Sequence, residues 1–281
     1  MFASPASDET NLPIKLKSPS KRLPKGDGRI EIFCLGQFSI RSTNSALTLL
    51  QVNSRPWFLL QLLITGGPAG TERSEAEIKL WPTGVTELSD GALDTTLYRL
   101  RKLLGDAQAV TVDNGIVRLN DRIVTVDAWK FATEADRFQV QIATPAGAAE
   151  SNTMESHCKK LFELYRGHFF GHDLTSPWVA RMRDVLQSKY LRCVKLAGQY
   201  WQSARQWERA ITLYEATLEI DNLAEEIHRE LMRCHLERRE FSDVVRVFRR
   251  CRELLSIVMG VTPSEATEMI YRQALAGQVR L

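Results

Sequence analysis

The sharpest alternation of apolar and polar positions lies in LDTTLYRLRKLLGD, Leu93 to Asp106. At about 3.6 residues per turn, Leu93, Leu97, Leu100 and Leu104 share one narrow stripe, and Thr95, Arg99 and Lys102 point directly away from it. Tyr98 lies beside that outer face, Asp94 and Arg101 share a flank, and Gly105 supplies the usual helix-ending residue. Taken alone, the segment reads as a surface helix whose charges keep it soluble. Its surroundings decide whether the charged back has a partner.

Residues 1–29 show no periodicity and carry scattered lysines and arginines, the pattern of a flexible basic tail or linker. From Ile30 the runs IEIFCLGQFSI and ALTLL predict strands of a small antiparallel sheet. NSRPWFLLQLLITGG predicts a helix capped by Asn53 or Ser54 and ended by Gly66-Gly67. SEAEIKLWP predicts another, with Ser74 and Glu77 as a capping box and Pro82 at the exit. The polar loop TGVTELS leads into the leucine-striped helix, for which Ser89 or Asp90 is the expected cap. AVTVDNGIVRLND follows, two alternating runs around Asn114-Gly115, the strongest short hairpin signal. Sheet, three helices and a hairpin, in that order, make a winged helix-turn-helix.

The rest is helical. VDAWKFATEADRFQ starts at a capping Asp127, IATPAGAAE is a loose stretch, and helical periodicity runs from Ser151 nearly to the end. ARQWERAITLYEATLEID and RREFSDVVRVFRRCRELL align with Trp207 over Phe241, Tyr214 over Phe248, and Ala210 and Ile211 over Val244 and Val245, an offset of 34 residues. That is the period of tetratricopeptide repeats, whose helix pairs bury their apolar faces only by stacking.

Composition narrows the function. The 281 residues suffice for two domains, and 44% hydrophobic residues for a core in each. With a formal net charge of +3, any nucleic-acid binding must come from local placement of charge rather than a global excess. The five cysteines show no C-x-x-C pairing and read as reduced, mostly core residues. The start has no signal-peptide core, and the longest apolar run, Trp57 to Ile64, is far short of a membrane span. A cytoplasmic protein with no membrane partner is expected.

Catalytic chemistry is thin. GGPAGTERS lacks the Lys-Ser/Thr of a phosphate loop and reads as a turn. His168 and His172, with His157-Cys158 upstream, match no zinc spacing, and no G-x-S-x-G is present. No enzyme, cofactor or metal is expected.

Residues 30–122, with TLYRLRKLLG before the wing, resemble the OmpR/PhoB-type winged helix. Residues 126–281, with VDAWKF, LYRGHFFG, WVARMRDVL, QWERAITLYE and ELLSIVMGVTPSEATEMIYRQAL in order, resemble the bacterial transcriptional activator domain. Together they resemble the SARP-type bacterial regulators. The resemblance implies a mainly α fold with a small β part: a 1–29 tail, a winged-helix domain over 30–125 and an all-α, tetratricopeptide-like domain over 126–281.

It further implies a sequence-specific activator that binds double-stranded DNA and recruits RNA polymerase. Thr95, Thr96 and Arg99 would approach base edges, Tyr98, Arg101 and Lys102 would hold phosphates, and Arg118 would sit over the minor groove. Val85 and Glu87, in the loop before the striped helix, would contact polymerase. Asp90 and Asp94 would repel phosphate unless they cap or pair internally. The helical half would mediate self-association or partner binding on direct repeats, and a 1–125 fragment would still bind one half-site. The rival readings are a protein-interaction scaffold whose winged helix serves protein contact, and a signalling subunit.

Overall fold

Short β-branched runs leave their backbone groups unsatisfied unless another strand pairs with them, and in this chain the partners come from distant sequence. The computed structural model describes residues 30–42, 53–82, 91–143, 151–171 and 176–278, with only the backbone for 151–153. It divides into two compact units. One holds the chain up to Lys130 together with Phe169–Arg183; the other holds Phe131–His168 and Asp184 onward.

In the first unit, β1 (Ile30–Phe33) pairs antiparallel with β2 (Ser39–Ser42), placing Ile32 opposite Ile40. On its other side β1 pairs in parallel with β6 (Val124–Val126), placing Ile32 opposite Val126. The expected sheet was wholly antiparallel; its parallel member arrives only after the wing. The ALTLL run lies outside the described residues.

Helix α1 (Arg55–Thr65) begins at Ser54, whose Oγ accepts from the Trp57 N–H, with Pro56 in the first turn and Gly66 at the end. Leu59, Leu60, Leu62, Leu63 and Ile64 are all buried, which makes α1 the central helix rather than a one-faced surface helix.

The capping box expected at Ser74 does not form. Helix α2 (Arg73–Leu80) starts two residues earlier, with Glu72 at the cap and no side-chain cap bond. The reason is the sheet: β3 (Thr71–Glu72) pairs with β5 (Ile116–Leu119), and the Arg73 N–H donates to the Gly115 carbonyl at 2.8 Å. The helix therefore begins where this strand stops. Gly70, at φ +82°, permits the approach, because a Cβ there would lie 2.6 Å from the Val117 carbonyl oxygen.

Helix α3 (Ala92–Leu104) buries Leu93, Leu97, Leu100 and Leu104 as its periodicity requires. It ends at Gly105, whose N–H returns to the Arg101 and Lys102 carbonyls. The expected caps Ser89 and Asp90 lie outside the described residues; Gly91, at φ +99°, precedes the helix. The hairpin forms as read, β4 (Val110–Asp113) against β5, with Asn114 and Gly115 at positive φ as a two-residue primed turn demands.

Two later segments complete this unit. Asp127, at the first position of α4 (Asp127–Ala143), is buried, and its carboxylate accepts from the Cys34 N–H at 2.8 Å, the Cys34 thiol at 3.0 Å and the Leu35 N–H at 3.1 Å. Burial, with the Asp127 charge beside it, pushes the Cys34 thiol well above its ordinary range and keeps it protonated.

The second segment is Phe169–Arg183. The Phe170 N–H donates to the Cys34 carbonyl at 2.7 Å, and its ring stacks on Phe38 and meets Trp57 edge-on. Ser176 Oγ donates to the buried Gln61 Oε1 at 2.7 Å, and the Arg183 guanidinium ties the segment's own carbonyls at Phe169 and Gly171. A fragment ending at residue 125 lacks all of this: its Phe38 and Trp57 would lose the Phe170 ring, and the Cys34 and Leu35 amides would lose their acceptor.

The second unit is helical. α5 (Ser151–Leu164) and the body of α6 (Pro177–Ser203) lead into α7 (Trp207–Ile220), α8 (Glu225–Glu237), α9 (Phe241–Leu254) and α10 (Glu265–Gln278), with a π-helical turn, Leu255–Met259, after α9. The repeat is visible in three dimensions. α7 and α9 begin at the aligned Trp207 and Phe241, and the buried Ala210, Leu213, Tyr214 and Thr217 recur as Val244, Val247, Phe248 and Cys251. The preceding turns repeat as well, with Arg205 at φ 55° and Arg239 at φ 60°. Gly198 of α6 makes room for Tyr214: a Cβ there would lie 1.9 Å from the Tyr214 hydroxyl.

The expected effect of Asp127→Ala is a loss of about 3 kcal/mol in urea denaturation, since two buried amides lose a charged acceptor. Asp127→Asn, which keeps one acceptor oxygen, should recover part of it.

Candidate nucleic-acid interface

The leucine stripe fixes which face of α3 is left over. Thr95, Tyr98, Arg99 and Lys102 are exposed on it, Tyr98 to 65%. Arg99 and Lys102 have no ion-pair partner among the described residues, so both cations are uncommitted. Lys102 also sits in the last turn, where a positive charge complements the helix dipole.

Thr96 does not join this face. It is 4% exposed, and its hydroxyl donates to the Ala92 carbonyl at 2.9 Å, one turn back along the helix. Its expected place at base edges is corrected: Thr96 belongs to the packed side of α3.

Arg101 is half-buried, its Nε donating to the Val110 carbonyl at 2.9 Å, which ties the end of α3 to the first strand of the wing. Arg118 lies on β5 opposite Thr111, with Nη2 3.1 Å from Asp113 Oδ2. Val85 and Glu87 lie outside the described residues.

The acidic residue at the start of α3 is neutralised. Arg73, the first residue of α2, grips Asp94 with both guanidinium nitrogens at 2.9 Å and also reaches Glu77 at 3.2 Å. The Arg73 hydrogen bonds hold the Asp94 carboxyl below its ordinary range. A lowered carboxyl keeps the pair intact above the ordinary aspartate range, and the pair is lost only as pH falls through the lowered value. Sequence reading required an internal partner for Asp94 without finding Arg73, because the two are 21 residues apart and meet only when α2 and α3 cross.

Elsewhere, His235, Glu240 and Asp243 bring potential metal ligands within 4.8 Å of one another. His235 Nδ1 bonds Glu240 at 2.7 Å, while Arg238 and Arg246 hold the Glu240 and Asp243 carboxylates, so the group reads as an ion network. The five cysteines are free and buried. No helix among the described residues is long and apolar enough to cross a membrane.

A winged helix, whose third helix carries Arg99 and Lys102 without an ion-pair partner among the described residues, is followed by stacked helix pairs, and a transcription regulator is the class to which the family match assigns this arrangement. The bacterial transcriptional activator domain matches residues 126–275, more than half of the chain, and the chain belongs to that family. The winged-helix region ahead of it completes the architecture of a SARP-type regulator. Among solved structures, Mycobacterium tuberculosis EmbR in complex with a low affinity phosphopeptide is similar in fold, with a TM-score of 0.61 at 16% identity, over 89% of this chain and 66% of that one. The chain thus spans just under two thirds of that protein's length. No curated protein sequence matches it.

Thr96→Val, which keeps the volume and removes only a hydroxyl spent within the helix, is expected to leave any DNA preference unchanged in a competition gel shift. Arg73→Ala, which leaves the Asp94 charge bare beside the outer face, is expected to weaken all DNA sequences alike.

Proposed function

We propose that the chain is a sequence-specific activator that binds double-stranded DNA through α3 and the wing and recruits RNA polymerase. The observation that carries this reading is the pair of uncommitted cations, Arg99 and Lys102, beside exposed Thr95 and Tyr98 on the face opposite the buried leucines. Arg99 is suited to bidentate contact with guanine, and Thr95 offers a methyl to thymine or a hydroxyl to several bases. Lys102 and Tyr98 hold phosphates, and Arg101 and Arg118, both anchored to the wing, position it on the backbone and over the minor groove.

The loop with Val85 and Glu87 meets polymerase, and the helical unit couples neighbouring copies on direct repeats spaced by about one helical turn, roughly 10–11 base pairs. A protein-contact role for the winged helix would instead leave two cations facing no phosphate, and would give binding with little salt dependence.

Gel shift with genomic fragments, followed by footprinting, tests the reading. Arg99→Ala should cost roughly 1–3 kcal/mol on the selected site and erase its preference over bulk DNA. Lys102→Ala should weaken all DNA about equally and flatten the salt slope by about one unit. Glu87→Ala should leave footprints intact and lower transcription in a reconstituted assay. Failure of the chain to select any fragment would overturn the proposal.

A further inference from the structure

Helices α5, α6 and α7 of the second unit enclose a slot of about 450 Å³, within the size range of small-molecule sites. Its floor is apolar and buried: Cys158, Trp201 and Leu213. Burial pushes the Cys158 thiol up to about 12, so it stays uncharged and behaves as an apolar surface. Phe162 of α5 and Ala216 of α7 also line it.

The charges lie at the rim, and most of them are already matched. Glu155 pairs with Arg209 at 3.2 Å, and Glu208 pairs with Arg238. The remaining rim charge is the Lys159 ammonium, which has no ion-pair partner among the described residues. The slot therefore combines an apolar, aromatic-walled interior with one uncommitted positive charge at its mouth. The Arg209 guanidinium at the rim is engaged by Glu155, so the charge left for a ligand is one ammonium, a point charge that matches a monoanion such as a single carboxylate.

We propose that this slot is an effector site for a small aromatic carboxylate, its rings between Phe162 and Trp201 and its carboxylate on Lys159. The site gives the regulator's helical half an input of its own, independent of any DNA contact.

The test uses the full chain and the probe 1-anilinonaphthalene-8-sulfonate, an aromatic monoanion, beside its uncharged parent N-phenyl-1-naphthylamine. One equivalent of the anion should bind and quench Trp201, a signal lost in Trp201→Phe, and 2-naphthoate should displace it. Lys159→Gln should weaken the anion about fivefold and leave the uncharged parent nearly unchanged. Ala216→Trp, a bulky side chain at an exposed helical position, should fill the slot and abolish binding of both with an unchanged far-ultraviolet spectrum. Binding that persists in Ala216→Trp, or the absence of any saturable binding, would overturn the site. An anion affinity indifferent to Lys159→Gln, or no displacement by 2-naphthoate, would overturn the carboxylate assignment.

Discussion

The first unit depends on one buried carboxylate. Asp127 accepts two backbone N–H groups and a thiol from the segment that follows β1, where the chain must turn away from the sheet and its amides would otherwise be orphaned. Because Asp127 directly follows β6, the same contact fixes the end of the parallel pair. Phe170 then closes the core from the other side, its ring filling the space against Phe38 and Trp57. With the sheet and α1 fixed, the leucine stripe of α3 has a defined seat, and the outer face of α3 a defined direction.

Such an arrangement separates the roles of neighbouring residues on one helix. Arg99 and Lys102 have no ion-pair partner among the described residues, whereas Arg101 between them spends Nε on the carbonyl of Val110. Asp94, one turn upstream, is answered by Arg73, so the cationic face is not cancelled from within. On the outer face of α3, two cations therefore have no ion-pair partner among the described residues.

What could be read from the sequence follows a physical rule: periodic and local signals were legible, distant partners were not. The α3 leucines, the Asn114-Gly115 hairpin, the Ser54 cap and the 34-residue repeat are written within one turn or one repeat of themselves. The parallel strand β6, the Arg73–Asp94 pair and the return of Phe169–Arg183 to the first unit depend on contacts no window contains. The capping box failed because α2 starts at Arg73, directly after β3, which leaves Ser74 inside the first turn. Thr96 is a different case. At about 100° per residue it lies only about 40° from Leu100, inside the buried arc, and its assignment to the outer face came from family resemblance rather than from its own angle.

The return of Phe169–Arg183 to the first unit also sets an order of events during synthesis. The winged-helix half is made first, yet Phe38 and Trp57, which meet edge-on, lack their third ring until Phe170 leaves the ribosome, some way into the helical half. A nascent chain therefore carries Trp57 and Phe38 incompletely covered for as long as translation takes to cross α4 and α5, an interval in which such a surface invites a chaperone or a neighbouring chain. Completion of the first unit's core thus waits for a segment that follows it in the sequence.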